Sequence, residues 1–126
     1  MAYQTTDKIL GIVYGLMGSI TIPKYLKTSP AKSVPREYIV INSLPINADV
    51  MQKCYVNVNY HVKDIGEGQP DNARLIAGFD AVMNILSKVT TTIYLIDFES
   101  QETIREEARG EHYTNMRFSF KYINYN

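Results

Sequence analysis

The chain has 126 residues, 45% of them hydrophobic and 21% charged, with a formal net charge of zero and a sequence pI of about 6.7. This is enough for one domain with a real core. There is no global basic excess of the kind phosphate neutralisation requires, which argues against a nucleic-acid binder. The single cysteine, Cys54, excludes an internal disulfide framework and a zinc site built mainly of thiolates.

The opening "MAYQTTDKIL" has no basic region leading into an apolar run, so no signal peptide is expected. No apolar stretch approaches the roughly 20 residues of a membrane span. Thr5 or Thr6 can cap a first helix, with Asp7 in its first turn. Ile9, Leu10, Val13, Leu16, Met17 and Ile20 follow helical spacing, but Gly15 and Gly18 weaken the end, so the helix is expected to stop near Met17. Residues 19–36 are expected to be extended or looped, because Pro23, Pro30 and Pro35 forbid a regular central strand or helix.

Residues 37–44, "EYIVINSL", are apolar on both faces and predict a buried strand, with a turn at Pro45 and Asn47. Residues 51–63 alternate. Cys54, Val56, Val58, Tyr60 and Val62 form one face; Tyr55, Asn57, Asn59, His61 and Lys63 form the other. A Gly- and Pro-bearing loop follows. Residues 71–89 then carry the clearest helical pattern, with Lys88 placed in the last turn. Residues 91–98 predict a strand, and 99–111 an acidic loop or hairpin tip. In the closing strand, 112–123, Met116, Phe118, Phe120 and Tyr122 alternate with polar residues. These elements predict a single α+β domain of order α-β-β-α-β-β. Its mainly antiparallel four-stranded sheet packs on one long amphipathic helix, and the first helix joins that core or meets a neighbour.

Candidate chemistry is sparse. Cys54 and His61 are an odd number of residues apart and point to opposite faces of a regular strand. They therefore form neither a metal pair nor a thiol–imidazole pair. His112 adds no ligand spacing, so His61 reads as an exposed strand residue and Cys54 as a small buried one. The glutamates of 99–111 are interleaved with Arg105 and Arg109, which favours solvation or ion pairing over catalysis. No catalytic, cofactor-binding or metal site is expected, and "GEGQP" lacks the pattern of a phosphate loop. The ten tyrosines, spread over every element, suit interfaces as well as strands.

Charge is distributed in blocks. Residues 24–36 hold four cations (Lys24, Lys27, Lys32 and Arg36) and no anion, whereas residues 97–111 hold six anions against two arginines. Opposite patches allow head-to-tail docking between copies, and such heterologous contacts close into a ring when the rotation is right. They also allow contact within one subunit.

The order and spacing of "PREYIVINSL", "CYVNVNYHVKD", "DNARLIAGFDAVMNILSKV", "TTIYLIDFESQETI" and "HYTNMRFSFKYI" resemble the tail-completion, or tail-terminator, proteins of tailed bacteriophages. The likeness runs from about Thr6 to Ile123 and is one of pattern, since the family has no catalytic motif. It implies a virion protein, made in the host cytoplasm, that forms a homohexameric ring. Such a ring caps the tail-tube protein, joins it to the head–tail connector or stopper, and leaves a channel through which DNA passes. On this reading Lys24, Lys27, Lys32 and Arg36 of one copy meet Glu102, Glu106, Glu107 and Glu111 of the next. Neither a cofactor nor a membrane is involved. The alternatives are another neck or tail component (adaptor, stopper or tube protein), a small-ligand-binding domain using His61, Asn57 and Asn59, and a host-encoded dimeric interaction module.

Overall fold

Thr5 caps the first helix, its hydroxyl accepting from the Lys8 amide at 3.1 Å. In this structure, a computed structural model, residues 5–30, 35–44 and 51–123 are described. Helix α1 spans Thr6–Leu16 and buries Ile9, Leu10 and Val13, so its apolar stripe belongs to this subunit's own core. The chain then forms β1 (Lys24–Leu26), β2 (Glu37–Ser43), β3 (Met51–Lys63), α2 (Asn72–Leu86), β4 (Lys88–Thr90), β5 (Tyr94–Glu106) and β6 (Glu111–Ile123). A short 3-10 turn, Glu107–Arg109, joins the last two strands, and Gly110 closes it with φ 62°, a left-handed conformation suited to glycine.

The six strands form one curled, half-barrel sheet in the order β1-β2-β3-β6-β5-β4. The β1–β2 pair is parallel and every other pair is antiparallel. Both helices contribute to the core on the face of Cys54, Val56, Val58, Tyr60 and Val62, where Ile39, Ile41, Ile96, Met116, Phe118 and Phe120 are also buried.

The expected four-stranded sheet on one long helix is therefore wrong: the sheet has six strands, the element order differs, and both helices, not one, pack on it. The missing strands are the two edges. β1 and β4 have three residues each, too short to show any period. Pro23 precedes β1, and its carbonyl accepts from Ile39 N at 2.8 Å, which needs no proline N–H. Lys88 does not end α2: the helix stops at Leu86, and Lys88 opens β4 opposite Asp97.

The acidic 99–111 segment is mostly strand, because β5 runs unbroken to Glu106. A register shift between Phe98 and Ser100 hides it from the pattern. Phe98 faces the core opposite Phe118, but Ser100 pairs Arg117 on the far face, so the alternation inverts there. The expected turn at Pro45 and Asn47 lies outside the described residues.

Candidate functional site

The sheet face away from the helices carries a polar and aromatic layer. At its centre Tyr38 (β2), His61 (β3) and Tyr113 (β6) lie directly opposite one another across three strands. Their rings stack at 4.6 Å on each side of the imidazole, with interplanar angles of 5° and 20°. His61 is therefore only 5% exposed, contrary to the expectation of a wet strand residue. Cys54, on the opposite face, is buried as expected, and burial pushes its thiol up to about 11.

Two residues before Tyr113 on β6, Glu111 reaches the same row and is 0% exposed. Its Oε1 accepts from the Tyr38 hydroxyl at 2.5 Å and lies 2.9 Å from His61 Nδ1. This network places the hydrogen on Nδ1 when the ring is neutral. Glu111 Oε2 is buried with no hydrogen-bond partner among the described residues. Glu106, across the hairpin from Glu111, sets its Oε2 3.5 Å from the same His61 nitrogen. Arg109 closes the group from the turn: its guanidinium donates to Tyr38 Oη at 3.2 Å and to the Pro30 carbonyl at 3.3 Å, and lies 3.9 Å from Glu106 Oε1.

Burial lowers the His61 pKa, outweighing the two neighbouring carboxylates that favour the charged form. Burial first, and then the Glu111 carboxylate, raise that of Tyr38. The imidazole and phenol are both biased toward neutrality beside a carboxylate.

An open cleft of about 230 Å³ leads to this group, with Lys27, Asn42, Asn59, His61, Glu106 and Tyr113 on its walls. Beyond it the asparagines cross-link. Asn57 donates to Asn42 at 3.0 Å, and Asn115 donates to Asn59 at 2.6 Å. Arg117 Nε donates to Asn57 at 3.3 Å, and Arg117 and Lys53 both approach the Tyr55 ring. Asn57 is thus held within the sheet and is not among the residues lining the cleft.

A second polar group marks the start of α2. Asp71 caps the helix through Arg74 N at 3.2 Å and meets Arg36 at 3.4 Å. Arg74 pairs with Glu37, which accepts from the Tyr60 hydroxyl at 3.0 Å. The adjoining groove, about 440 Å³, is floored by Ala73, Ala77, Gly78 and Ala81.

The residues singled out for contacts between copies scatter. Lys24 donates to the Ile20 carbonyl, Lys27 pairs with Asp7, and Arg36 pairs with Asp71. Lys32 lies outside the described residues. Glu102 and Glu107 are exposed, Glu106 is half-buried beside His61, and Glu111 offers no surface at all. Lys27 and Glu106 line one cleft, so the basic and acidic segments approach each other within a single subunit.

Sequence reasoning tested His61 against Cys54 and His112 but not against Glu106 and Glu111. Strand register was the missing signal: with His61 opposite Tyr113, Glu111 falls two residues away on the same face. His112 sits on the other face, 2.7 Å from Asp64.

No protein-family model matches this sequence, and no curated protein does. Among solved structures the chain is similar to a protein of no stated function. The TM-score is 0.53 at 11% identity, over 96% of this chain and 93% of that one. At that identity the likeness speaks for the fold alone. Among the described residues, no helix is long and apolar enough to cross a membrane.

Proposed function

We propose that the chain is a structural subunit of a homohexameric ring, the tail terminator of a tailed bacteriophage. In this role the ring sits on the last tail-tube ring, receives the head connector, and lets DNA pass. The observation that supports this reading is the placement of charge on the sheet. Lys24 and Lys27 sit at one edge, on β1 and the turn after it, and β5 lies toward the other edge with its acidic residues, of which only Glu106 shares a cleft with Lys27.

β4 covers β5 only at Leu95–Asp97, so among the described residues no strand pairs with the outer edge of β5 from Glu99 to Glu106. An open edge bearing like charges repels its own kind and accepts a strand of opposite charge. Opposite edges that complement each other make a heterologous contact, which closes when the rotation per copy divides a full turn. Glu99, Glu102 and Glu107 supply the acidic side, and Lys24 and Lys27 the basic side. Glu111 has no part in it.

Solution mass at rising protein concentration, with negative-stain imaging, tests the reading. Rings are expected, formed by the chain alone or on mixing with purified tail tubes. The charge-reversed Glu102→Lys/Glu107→Lys chain is expected to assemble poorly at low salt. A chain that stays monomeric and does not join tail tubes refutes the ring. Unchanged assembly of the charge-reversed protein refutes this choice of edges.

A further inference from the structure

We infer that His61, Glu106 and Glu111 form a binding site for a divalent transition-metal ion of the zinc type, clipping three strands together at the tip of the β5–β6 hairpin. One donor atom from each residue lies within 4.8 Å of the others. His61 Nδ1 is 2.9 Å from Glu111 Oε1 and 3.5 Å from Glu106 Oε2. Neighbouring ligand atoms around a tetrahedral ion with bonds of about 2.0–2.1 Å stand roughly 3.3–3.4 Å apart. Two of the three separations are thus already close to coordination spacing, and small rotations would let one ion replace the present hydrogen bonds.

Among the described residues Glu111 Oε2 has no hydrogen-bond partner, and an ion taking both oxygens of this carboxylate would give it one. A buried carboxylate oxygen without a partner carries its full desolvation cost.

The charge count agrees. Glu106 and Glu111 bring two negative charges, Arg109 one positive, and His61 and Tyr38 none when neutral. One negative charge is left over in a group whose Glu111, His61 and Tyr38 are buried and whose Glu106 and Arg109 are half-buried. Lys27 lies on the cleft wall but is 60% exposed, with its ammonium committed to Asp7, and the Lys63 ammonium is held by the Arg109 carbonyl. Glu106 divides its oxygens, Oε2 toward His61 and Oε1 toward Arg109, so the arginine can stay in place. Tyr38 would remain a hydrogen-bond donor to the ligating Glu111, a typical outer partner. One imidazole nitrogen with two carboxylates selects zinc, manganese, iron or nickel over the oxygen-seeking magnesium and calcium. The cleft supplies the remaining coordination position with water.

The test is titration of the chelator-stripped full chain with Zn²⁺, and with Co²⁺ as a spectroscopic probe. Expected is one ion per chain, a raised thermal midpoint, a Co²⁺ visible band of four- or five-coordinate intensity, and no response to Mg²⁺. Thiolate-to-metal charge transfer should be absent, since Cys54 is on the other face. Glu106→Gln changes a half-exposed residue and should keep the fold while weakening affinity by about tenfold or more. His112→Ala should leave affinity unchanged. Failure to bind at about 100 µM Zn²⁺, unchanged affinity in Glu106→Gln, or loss of the site in His112→Ala overturns the assignment. A metal here needs no ring, so the monomeric protein serves equally well.

Discussion

Gly78, in the middle of α2, should be intolerant of the smallest possible side chain. A Cβ built there lies 1.9 Å from Tyr60 Cε2, 2.3 Å from Cζ and 2.5 Å from Cδ2. Ordinary carbon–carbon contact is about 3.5–4.0 Å, so the helix and ring would have to part by well over an ångström. Tyr60 has little room to yield: its ring is 1% exposed and its hydroxyl is tied to Glu37, itself paired with Arg74. Overpacking of this kind costs about 1–3 kcal/mol, occasionally more. Alanine returns about 1 kcal/mol as the better helix former. The clash is severe enough to sit at the high end, so Gly78→Ala should lose about 2 kcal/mol net. With a urea slope of roughly 1–2 kcal/mol/M the denaturation midpoint falls by about 1–2 M. Gly11→Ala in α1 is the control, because nothing lies within 4 Å of its Cβ, and it should gain up to about 1 kcal/mol. In a Tyr60→Leu background, Gly78→Ala should become far less costly, a coupling readable from a double-mutant cycle. Equal midpoints for Gly78→Ala and wild type would refute close packing of α2 on β3.

Two further outcomes follow from titratable groups. Asp71 is held below the ordinary carboxylate value of 3.8, first by the Arg74 amide and then by the Arg36 and Arg74 side chains. Its depressed pKa means stability present above that value and lost as pH falls below it. Asp71→Ala should lower the urea midpoint at neutral pH, whereas Asp71→Asn should retain the helix cap but lose this acid dependence. Cys54 behaves in the opposite sense. Its thiol is raised from 9.0 to about 11, so its contribution is intact below 9.0 and disappears as pH climbs toward 11. That window is worth about 2–3 kcal/mol and should be missing in Cys54→Ala. At pH 8 an aromatic disulfide reagent should label native Cys54 only as fast as the protein opens.

The two faces of β3 are legible from alternation alone. Cys54, Val56, Val58, Tyr60 and Val62 had to share a side, and they form the core. The α1 stripe and most of the α2 stripe are equally legible, because helical spacing needs no knowledge of the partner, though Ile76 is exposed and Val89 falls on β4. β1 and β4 are not, since three-residue edges have no period of their own and exist only as hydrogen-bonded additions to β2 and β5. The distal half of β5 is hidden for a different reason: a bulge at Glu99 inverts the alternation, and the exposed strand beyond it has the composition of a loop.

His61 marks the boundary between the two kinds of knowledge. Parity along one strand placed it opposite Cys54 and removed the thiol pairing, a matter of local geometry that no tertiary contact can undo. Whether that second face is wet is decided by residues far along the chain. Tyr38 and Tyr113 cover the ring, and Glu111, 50 residues away, puts a carboxylate beneath it with one oxygen unpartnered among the described residues. Along the regular strand β3 the sequence by itself determined which way each side chain points, because that depends on the pleat. Only the tertiary structure decided what each one meets, because that depends on register between strands and on a hairpin that brings Glu106 and Glu111 side by side.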